Sequence, residues 1–175
     1  MGTPQKPQKV AFFAGIMFRQ DFVMQPLMDR LQAQFGNMEF FYGPLPFSWT
    51  DYYADEMGID LFKTYICFES RIERELLPEI KLWTNSIEQE YTAGGRRAVN
   101  VDPGYLSRDK LVLASTKDFY HRLYLGQGIY GEVTLHFRQG RFRCFSWTYP
   151  DFKEEKLQEF LIKARAKLVG ELRKE

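Results

Sequence analysis

Charged, aromatic and imidazole side chains recur at alternate positions of the strand-like segments between residues 122 and 147. Because alternate side chains of a β-strand point to the same side, this spacing predicts one polar face on a sheet. Arginines there could bind an anion, aromatic rings could stack on a planar group, and a carboxylate could act in acid–base chemistry. The set consists of Arg122, Tyr124, Tyr130, Glu132, Thr134, His136, Arg143 and Trp147. The pattern therefore predicts a binding site for a small polar ligand.

Two turns predict how these strands pair. Residues 139–140 fit a two-residue hairpin turn, and residues 126–128 fit a three-residue loop. These loops place Arg122 opposite Glu132, and Glu132 opposite Trp147. The opposite, apolar face would then consist of Leu123, Leu125, Ile129, Val133, Leu135, Phe137, Phe142 and Cys144. The alternative interpretation is a solvated sheet face, on which a cross-strand ion pair contributes roughly 0.2–1 kcal/mol.

Three further polar residues are candidates for ligand contacts or catalysis. Lys117 follows two hydroxyl residues and could bind a phosphate, although an ordinary loop lysine fits the same pattern. Asp102 and His121 join Glu132 as candidate catalytic residues, with Asp102 or Glu132 as the acid–base group or metal ligand. The alternatives are turn chemistry for Asp102 and a structural role for His121.

The motifs of several known sites are missing from the sequence. It has no G-x-x-x-x-G-K-[ST] phosphate loop and no Rossmann glycine fingerprint. It also has no cysteine and histidine cluster with zinc spacing and no serine nucleophile elbow. We therefore assign no metal site and no cofactor, and whether the protein is an enzyme stays open.

Hydrophobic periodicity predicts the elements that must position these residues. Strands are expected at 10–18, 38–43, 61–69, 97–101, 110–116, 120–126, 129–138 and 141–148. The first six elements follow the β-α-β-β-α-β order of a ferredoxin-like fold, and an antiparallel meander and a C-terminal helix extend it. The prediction is a single α+β domain over residues 9–175, with helices mainly on one face of the sheet. Residues 1–8 are predicted to form a flexible arm.

Local signals predict where the elements end. Pro44 and Pro46 should stop the second strand. Ser70 and Glu73 should form a capping box for the next helix. Residues 102–105 should form a type II turn, because proline and glycine occupy its two central positions.

Composition narrows the classes of partner. The chain has 175 residues, of which 17% are aromatic, and its 24 basic and 23 acidic residues give a formal charge of +1. This balance argues against a dedicated nucleic-acid-binding protein. No apolar run reaches the roughly 18 residues of a membrane span, and the first residues resemble no signal peptide. We therefore expect a cytoplasmic protein of unassigned oligomeric state, with Cys67 and Cys144 as buried thiols.

Six sequence blocks resemble the signature blocks of an uncharacterised prokaryotic family, domain of unknown function 4416. They are EMGIDLFKTYICFES, LPEIKLWTNSIE, RRAVNVDPGYL, KLVLASTKDFYHRLYL, GIYGEVTLHF and WTYPDF. The resemblance covers nearly the whole chain after residue 8 and implies a single-domain member of that family. It implies no particular activity, cofactor or partner.

The leading hypothesis is a protein that binds a small anionic ligand, such as a nucleotide or another phosphorylated metabolite. The anion would be contacted by Arg122, Arg143 and Lys117. A ring would stack on Tyr124, Tyr130 or Trp147. The alternative is a non-catalytic interaction module that docks another protein on the same aromatic face. A ligand pocket should be closed by loops such as 44–58 and 102–108, whereas an interface should be broad and open.

Overall fold

An eight-stranded antiparallel sheet forms the centre of the protein in a computed structural model, which describes residues 2–50 and 52–174. Its strands are β1 (Val10–Arg19), β2 (Met38–Phe47), β3 (Leu61–Ile72), β6 (Val99–Leu106), β7 (Lys110–Ser115), β8 (Arg122–Gly126), β9 (Ile129–Arg138) and β10 (Arg141–Cys144). A separate small hairpin comprises β4 (Thr92–Ala93) and β5 (Arg96–Arg97). The order across the sheet is β10-β9-β7-β6-β1-β3-β2, and β8 also pairs with β9.

Four helices complete the α+β domain. They are α1 (Gln25–Phe35), α2 (Ala54–Met57), α3 (Leu77–Glu90) and α4 (Glu155–Leu172). Short 3-10 turns at Arg74–Leu76 and Pro150–Lys153 precede α3 and α4. None of the helices in the described part of the chain combines the length and the apolar character that crossing a membrane requires.

The helices cover both faces of the sheet, so the prediction of helices mainly on one face was wrong. The reason is visible in β1, where both Phe12 and Phe13 are fully buried although their side chains point in opposite directions. Phe12 belongs to the core beneath α1 and α3. Phe13 belongs to a second core beneath α4. A strand that is apolar on both sides needs a cover on each.

Two strands continue past their predicted ends. β2 runs through Pro44 and Pro46 to Phe47, which is possible because β2 lies at the edge of the sheet. There a missing backbone N–H need not break a ladder bond. β3 continues to Ile72 and includes Ser70, so the predicted capping box does not form.

The predicted type II turn at 102–105 is also wrong, because these residues lie inside β6 and pair with β1. The chain reverses later, where the Ser107 amide donates to the Lys110 carbonyl. Proline is tolerated at 103 because the backbone nitrogen of this residue points away from β1. Val101 turns its amide and carbonyl away from β1, towards a side where no strand pairs with it. Pro103, two residues later, faces the same way, so its missing donor costs no ladder bond.

The predicted strand registers are largely confirmed, but the predicted faces are not. Arg122 pairs with Glu132 and His136 pairs with Arg143, as expected. However, the pairing of β7 with β9 shifts so that Thr134 is an extra residue. Such a bulge reverses the alternation of faces, and Leu135 therefore lies on the same side as Glu132.

Three further expectations about this region fail. Glu132 does not pair with Trp147, because β10 ends at Cys144. Gly126, rather than Leu125, lies opposite Ile129, so Leu125 bulges out of the ladder and is partly exposed. Cys144 is exposed, whereas Cys67 is buried as predicted.

Two glycines should respond to alanine with opposite changes in stability. A Cβ at Gly104 would meet the Val112 carbonyl and lie 2.8 Å from Leu113 Cδ2. We expect Gly104→Ala to lower the free energy of unfolding by roughly 1–3 kcal/mol or more, as overpacking does. Gly170, within α4, has open space around it, and Gly170→Ala should raise stability by about 0.5–1 kcal/mol. Urea unfolding measures both values, and equal effects of the two variants would contradict the close approach of β6 to β7.

Candidate functional site

A cleft opens in the sheet where β6 and β7 diverge. The two strands pair only between Gly104–Leu106 and Leu111–Leu113. The beginning of β6 and the end of β7 do not pair with each other and leave a gap in the sheet. The opening has a volume of about 430 Å³. Residues of the sheet and of α3 line it, together with Thr50 and residues of the segments 52–56 and 149–152. We call it the interstrand cleft.

Side chains of α3 replace the missing strand along one wall of the interstrand cleft. Lys81 Nζ donates to the Val101 carbonyl at 2.9 Å, and Glu88 Oε1 accepts the Val101 amide at 2.8 Å. Both side chains are buried. Burial raises the pKa of Glu88, even though Lys81 and Arg97 lie nearby. These bonds satisfy the open edge of β6, and they bring ionisable groups through the sheet into the cleft.

Arg97 connects this wall to the segment that covers the cleft. Its guanidinium donates to Glu88 at 2.5 Å, to Asn100 Oδ1 at 3.0 Å and to Glu56 at 2.8 Å. Two donors of this group, Arg97 Nε and Asn100 Nδ2, are buried without a partner among the described residues. Because an unpaired buried donor is costly, a ligand or a water molecule that accepts these hydrogen bonds would be stabilised.

Glu132 organises the opposite wall. Its Oε2 accepts from Arg122 Nε and from His121 Nε2, each at 2.9 Å, and its Oε1 accepts from Thr134 at 3.3 Å. Arg122 also donates to Ser115 Oγ at 2.9 Å and to the Lys117 carbonyl at 3.0 Å. Glu132 is 2% exposed and the Arg122 side chain 5%. The pair is therefore a fixed, buried part of the wall and not a solvated surface pair.

A buried ion pair lies between the cleft and the core beneath α4. Lys63 Nζ and the Tyr65 hydroxyl both donate to Asp151 Oδ2, each at 2.7 Å. The ammonium also lies about 5 Å from the rings of Phe47 (5.2 Å) and Phe152 (5.4 Å). Burial and the neighbouring Asp151 raise the pKa of Tyr65, so its hydroxyl keeps its proton and remains a donor.

Aromatic side chains surround the mouth of the interstrand cleft. Tyr52 and Tyr149 are exposed, and Tyr53 is half-buried. The Lys117 ammonium lies 4.2 Å from the centre of the Tyr52 ring and donates to its hydroxyl. A planar group entering the cleft would thus meet rings at its mouth and cations just inside.

The structure brings four of the nine predicted site residues to the cleft: Asp102, Lys117, Arg122 and Glu132. The carboxylate of Asp102 makes no hydrogen bond or ion pair with another described residue, which leaves it available to a ligand. The other five residues, His121, Tyr124, Tyr130, Arg143 and Trp147, do not line the cleft.

These five residues have contacts of their own. Tyr124 and Tyr130 pack on each other at 5.3 Å, and Arg143 donates to Gln139 at 3.3 Å. The Trp147 ring stacks on His121 at 5.1 Å, and its indole N–H donates to the Val133 carbonyl at 3.0 Å. Trp147 thus satisfies a carbonyl at the bulge of β9, which is a structural role.

Several lining residues were not predicted. Lys63, Arg97 and Asp151 lie far apart in the sequence, and no local spacing connects them. Lys81 and Glu88 share one face of α3, and polar residues at helical spacing are usually solvated. They are buried instead, because they bond the open edge of β6, and no local pattern signals those bonds. Among residues 2–50 and 52–174, no three histidine, cysteine, aspartate or glutamate side chains are grouped to hold a metal ion.

Comparison with known proteins gives a family but no activity. The chain matches no curated protein and no solved structure. A family model matches residues 8–168, and its description is "Domain of unknown function (DUF4416)". This span covers most of the 175 residues and includes every residue that lines the interstrand cleft. The chain therefore belongs to the DUF4416 family.

Proposed function

We propose that the protein binds a small anionic ligand, such as a nucleotide or another phosphorylated metabolite, in the interstrand cleft. The observation that carries the proposal is the combination of the two unpartnered buried donors, Arg97 Nε and Asn100 Nδ2, with Lys117 and Arg122 around one opening. A volume of about 430 Å³ is within the range of small-molecule sites. Tyr52 and Tyr149 would contact a ring at the mouth, in place of the aromatic residues predicted from the sequence.

The cover of the cleft favours this function over an interaction surface. Lys117 is hydrogen-bonded to Tyr52 and Arg97 to Glu56, so residues 52–56 connect the two walls of the opening. A flat interface would need an uncovered face. If the protein turns its ligand over, Asp102 is the better candidate for acid–base chemistry, because Glu132 already accepts from three side chains.

An interaction module remains the alternative, and exposed side chains on β8 support it. Leu123 is 73% exposed and Tyr124 63% exposed, at the outer edge of the sheet. Neither residue lines the cleft, so substitutions on β8 and in the cleft would distinguish the two functions.

Two properties of the whole chain belong to the same proposal. We infer a cytoplasmic location and a small-molecule partner rather than nucleic acid, in line with the balanced charge. We also infer a ferredoxin-like arrangement for the half of the sheet with the order β6-β1-β3-β2, because α1 and α3 both pack on one face of this half.

A thermal-shift screen with nucleotides, phosphosugars and divalent metals would identify the ligand, because binding to the native state alone raises the apparent stability. Lys117→Ala and Asn100→Asp should each weaken binding of the best ligand by about tenfold or more, since a hydrogen bond to a charged group contributes about 1.5–3 kcal/mol. Asn100→Asp keeps the acceptor for Arg97 and exchanges only the unpartnered donor for a negative oxygen. Titration of the purified variants measures the affinities.

The matched control is Lys163→Ala, which removes an exposed lysine of α4 outside the cleft. It should leave the affinity unchanged. Wild-type affinity in both Lys117→Ala and Asn100→Asp would exclude the interstrand cleft as the binding site.

A further inference from the structure

A groove lined by three arginines lies at the other end of β6 and β7, away from the interstrand cleft. Arg74, Arg108 and Arg165 line it, with Phe137 at its side, and its volume is about 380 Å³. The arginines come from three separate elements: the 3-10 turn before α3, the turn between β6 and β7, and α4. The fold thus gathers cations that are far apart in the sequence.

Two of these guanidinium groups are held in the same way. Arg165 Nε donates to the Arg108 carbonyl at 2.6 Å, and its guanidinium lies 3.5 Å from the centre of the Phe137 ring. Arg74 Nε donates to the Gln8 carbonyl at 3.3 Å, and its guanidinium lies 5.9 Å from the centre of the Tyr105 ring. In each case a carbonyl accepts from Nε and an aromatic ring lies against the guanidinium, and the two contacts together fix the side chain. The terminal amino groups, which form the fork that grips an oxyanion, make no hydrogen bond with a described residue.

The charges of the groove are only partly neutralised within the described part of the chain. None of the three arginines forms an ion pair with a described carboxylate. Asp109 also lines the groove and attracts Arg74 and Arg165, but it is one carboxylate against three arginines. Its carboxylate also accepts from Ser107 Oγ at 2.7 Å and lies 3.9 Å from Lys110. Burial and the neighbouring Arg108 lower the pKa of Arg165. A bound anion would relieve this crowding of like charges.

We propose that this groove binds a phosphate group. Several arginine side chains that line one groove suit a phosphate, which has more oxygens to offer than a single carboxylate. Arginine is also the side chain suited to planar, bidentate contacts with such oxygens. The phosphate can be free or can belong to a small phosphate ester, since the recognised oxygens are the same. This site is independent of the interstrand cleft, because the two have no lining residue in common.

Binding of inorganic phosphate, pyrophosphate and phosphoserine to the full chain, measured by ³¹P NMR line broadening at constant ionic strength, tests the proposal. We expect broadening of at least one of these probes. Arg165→Gln and Arg108→Gln should each weaken that binding by roughly tenfold or more. Arg108 is exposed, so its variant tests the site even if Arg165→Gln, which loses the stacking on Phe137, folds poorly. Broadening by phosphoserine but not by phosphate would assign the site to a phosphate ester, and broadening by phosphate but not by phosphoserine would assign it to the free anion. Broadening by both would show that the phosphate oxygens alone are recognised.

Two sets of controls separate this groove from the rest of the surface and from the cleft. Arg141→Gln removes an exposed arginine of β10 outside the groove and should bind the probe like the wild type. Lys117→Ala and Asn100→Asp, which alter the interstrand cleft, should also retain this binding. The proposal is overturned if no probe broadens beyond an equal ionic strength of chloride, or if both groove variants bind like the wild type.

Discussion

A chain that ends before Lys156 should lose cooperative folding altogether. Five buried side chains of α4 cover one face of the sheet: Leu157, Phe160, Leu161, Ala164 and Leu168. Burying a large apolar side chain contributes about 1.5–3 kcal/mol, so their combined loss is comparable with the whole stability of a domain, about 5–15 kcal/mol. Truncation would also expose Phe13 and the other apolar residues of that core. Urea unfolding followed by tryptophan fluorescence should show no cooperative transition, or the fragment should aggregate.

The control for truncation is a chain that ends after Leu172, which keeps all of α4. It also keeps Glu171, whose carboxylate lies 2.8 Å from Arg71, and it should unfold cooperatively like the full chain. A fragment ending at Glu155 that stays soluble and unfolds in an unchanged transition would show that α4 is not part of the core.

Breaking the buried pair of Lys63 and Asp151 should produce the largest effect of any single substitution described above. Lys63→Met leaves a buried carboxylate with only the Tyr65 hydroxyl, and Asp151→Asn leaves a buried ammonium without a counter-ion. Each variant should lose about 3–5 kcal/mol of stability, because removal of one partner strands the other in the interior. Lys63→Met/Asp151→Asn should recover part of that loss, since it removes both charges and keeps an acceptor for Tyr65.

Equilibrium unfolding of the four proteins in this double-mutant cycle gives the coupling between the two residues. Arg30→Gln is the matched control, because it breaks an exposed ion pair with Glu90 and should change stability little. Additive effects of Lys63→Met and Asp151→Asn would contradict a direct interaction in the folded protein.

Short-range features of this fold could be predicted from the sequence. The hairpins that pair Arg122 with Glu132 and His136 with Arg143 have loops of a few residues, and such loops leave few possible registers. The buried stripes of α1 and α4 repeat at helical spacing, so their core residues could be predicted as well. These predictions needed only neighbours along the chain.

Features that depend on distant partners could not be predicted. The bulge at Thr134 is stabilised by Trp147 and Thr148, whose side chains bond the carbonyls of Val133 and Thr134. No local pattern marks such an extra residue, and one bulge is enough to reverse a predicted face. The partner of Lys63 lies 88 residues away, so neither side chain signals the pair.

The candidate site was predictable in part for the same reason. Arg122, Glu132 and Lys117 lie within one meander, and the sequence could group them. The cleft itself arises where β6 separates from β7, and its inner wall comes from polar residues of α3 that resemble a solvated helix face. Predicting the interstrand cleft therefore requires the order of the strands in the sheet.

The separation of β6 from β7 also concentrates the twist between the two halves of the sheet at one short contact. An ordinary sheet distributes its twist over every pair of neighbouring strands. Here the strand pairing between the two halves consists of three residue pairs, Gly104–Leu113, Tyr105–Val112 and Leu106–Leu111. The angle at which β6 and β7 cross at this short joint should therefore set the width of the interstrand cleft. Substitutions at Tyr105 or Leu106, which belong to the joint but do not line the cleft, should therefore change the width of the opening without altering any side chain that lines it.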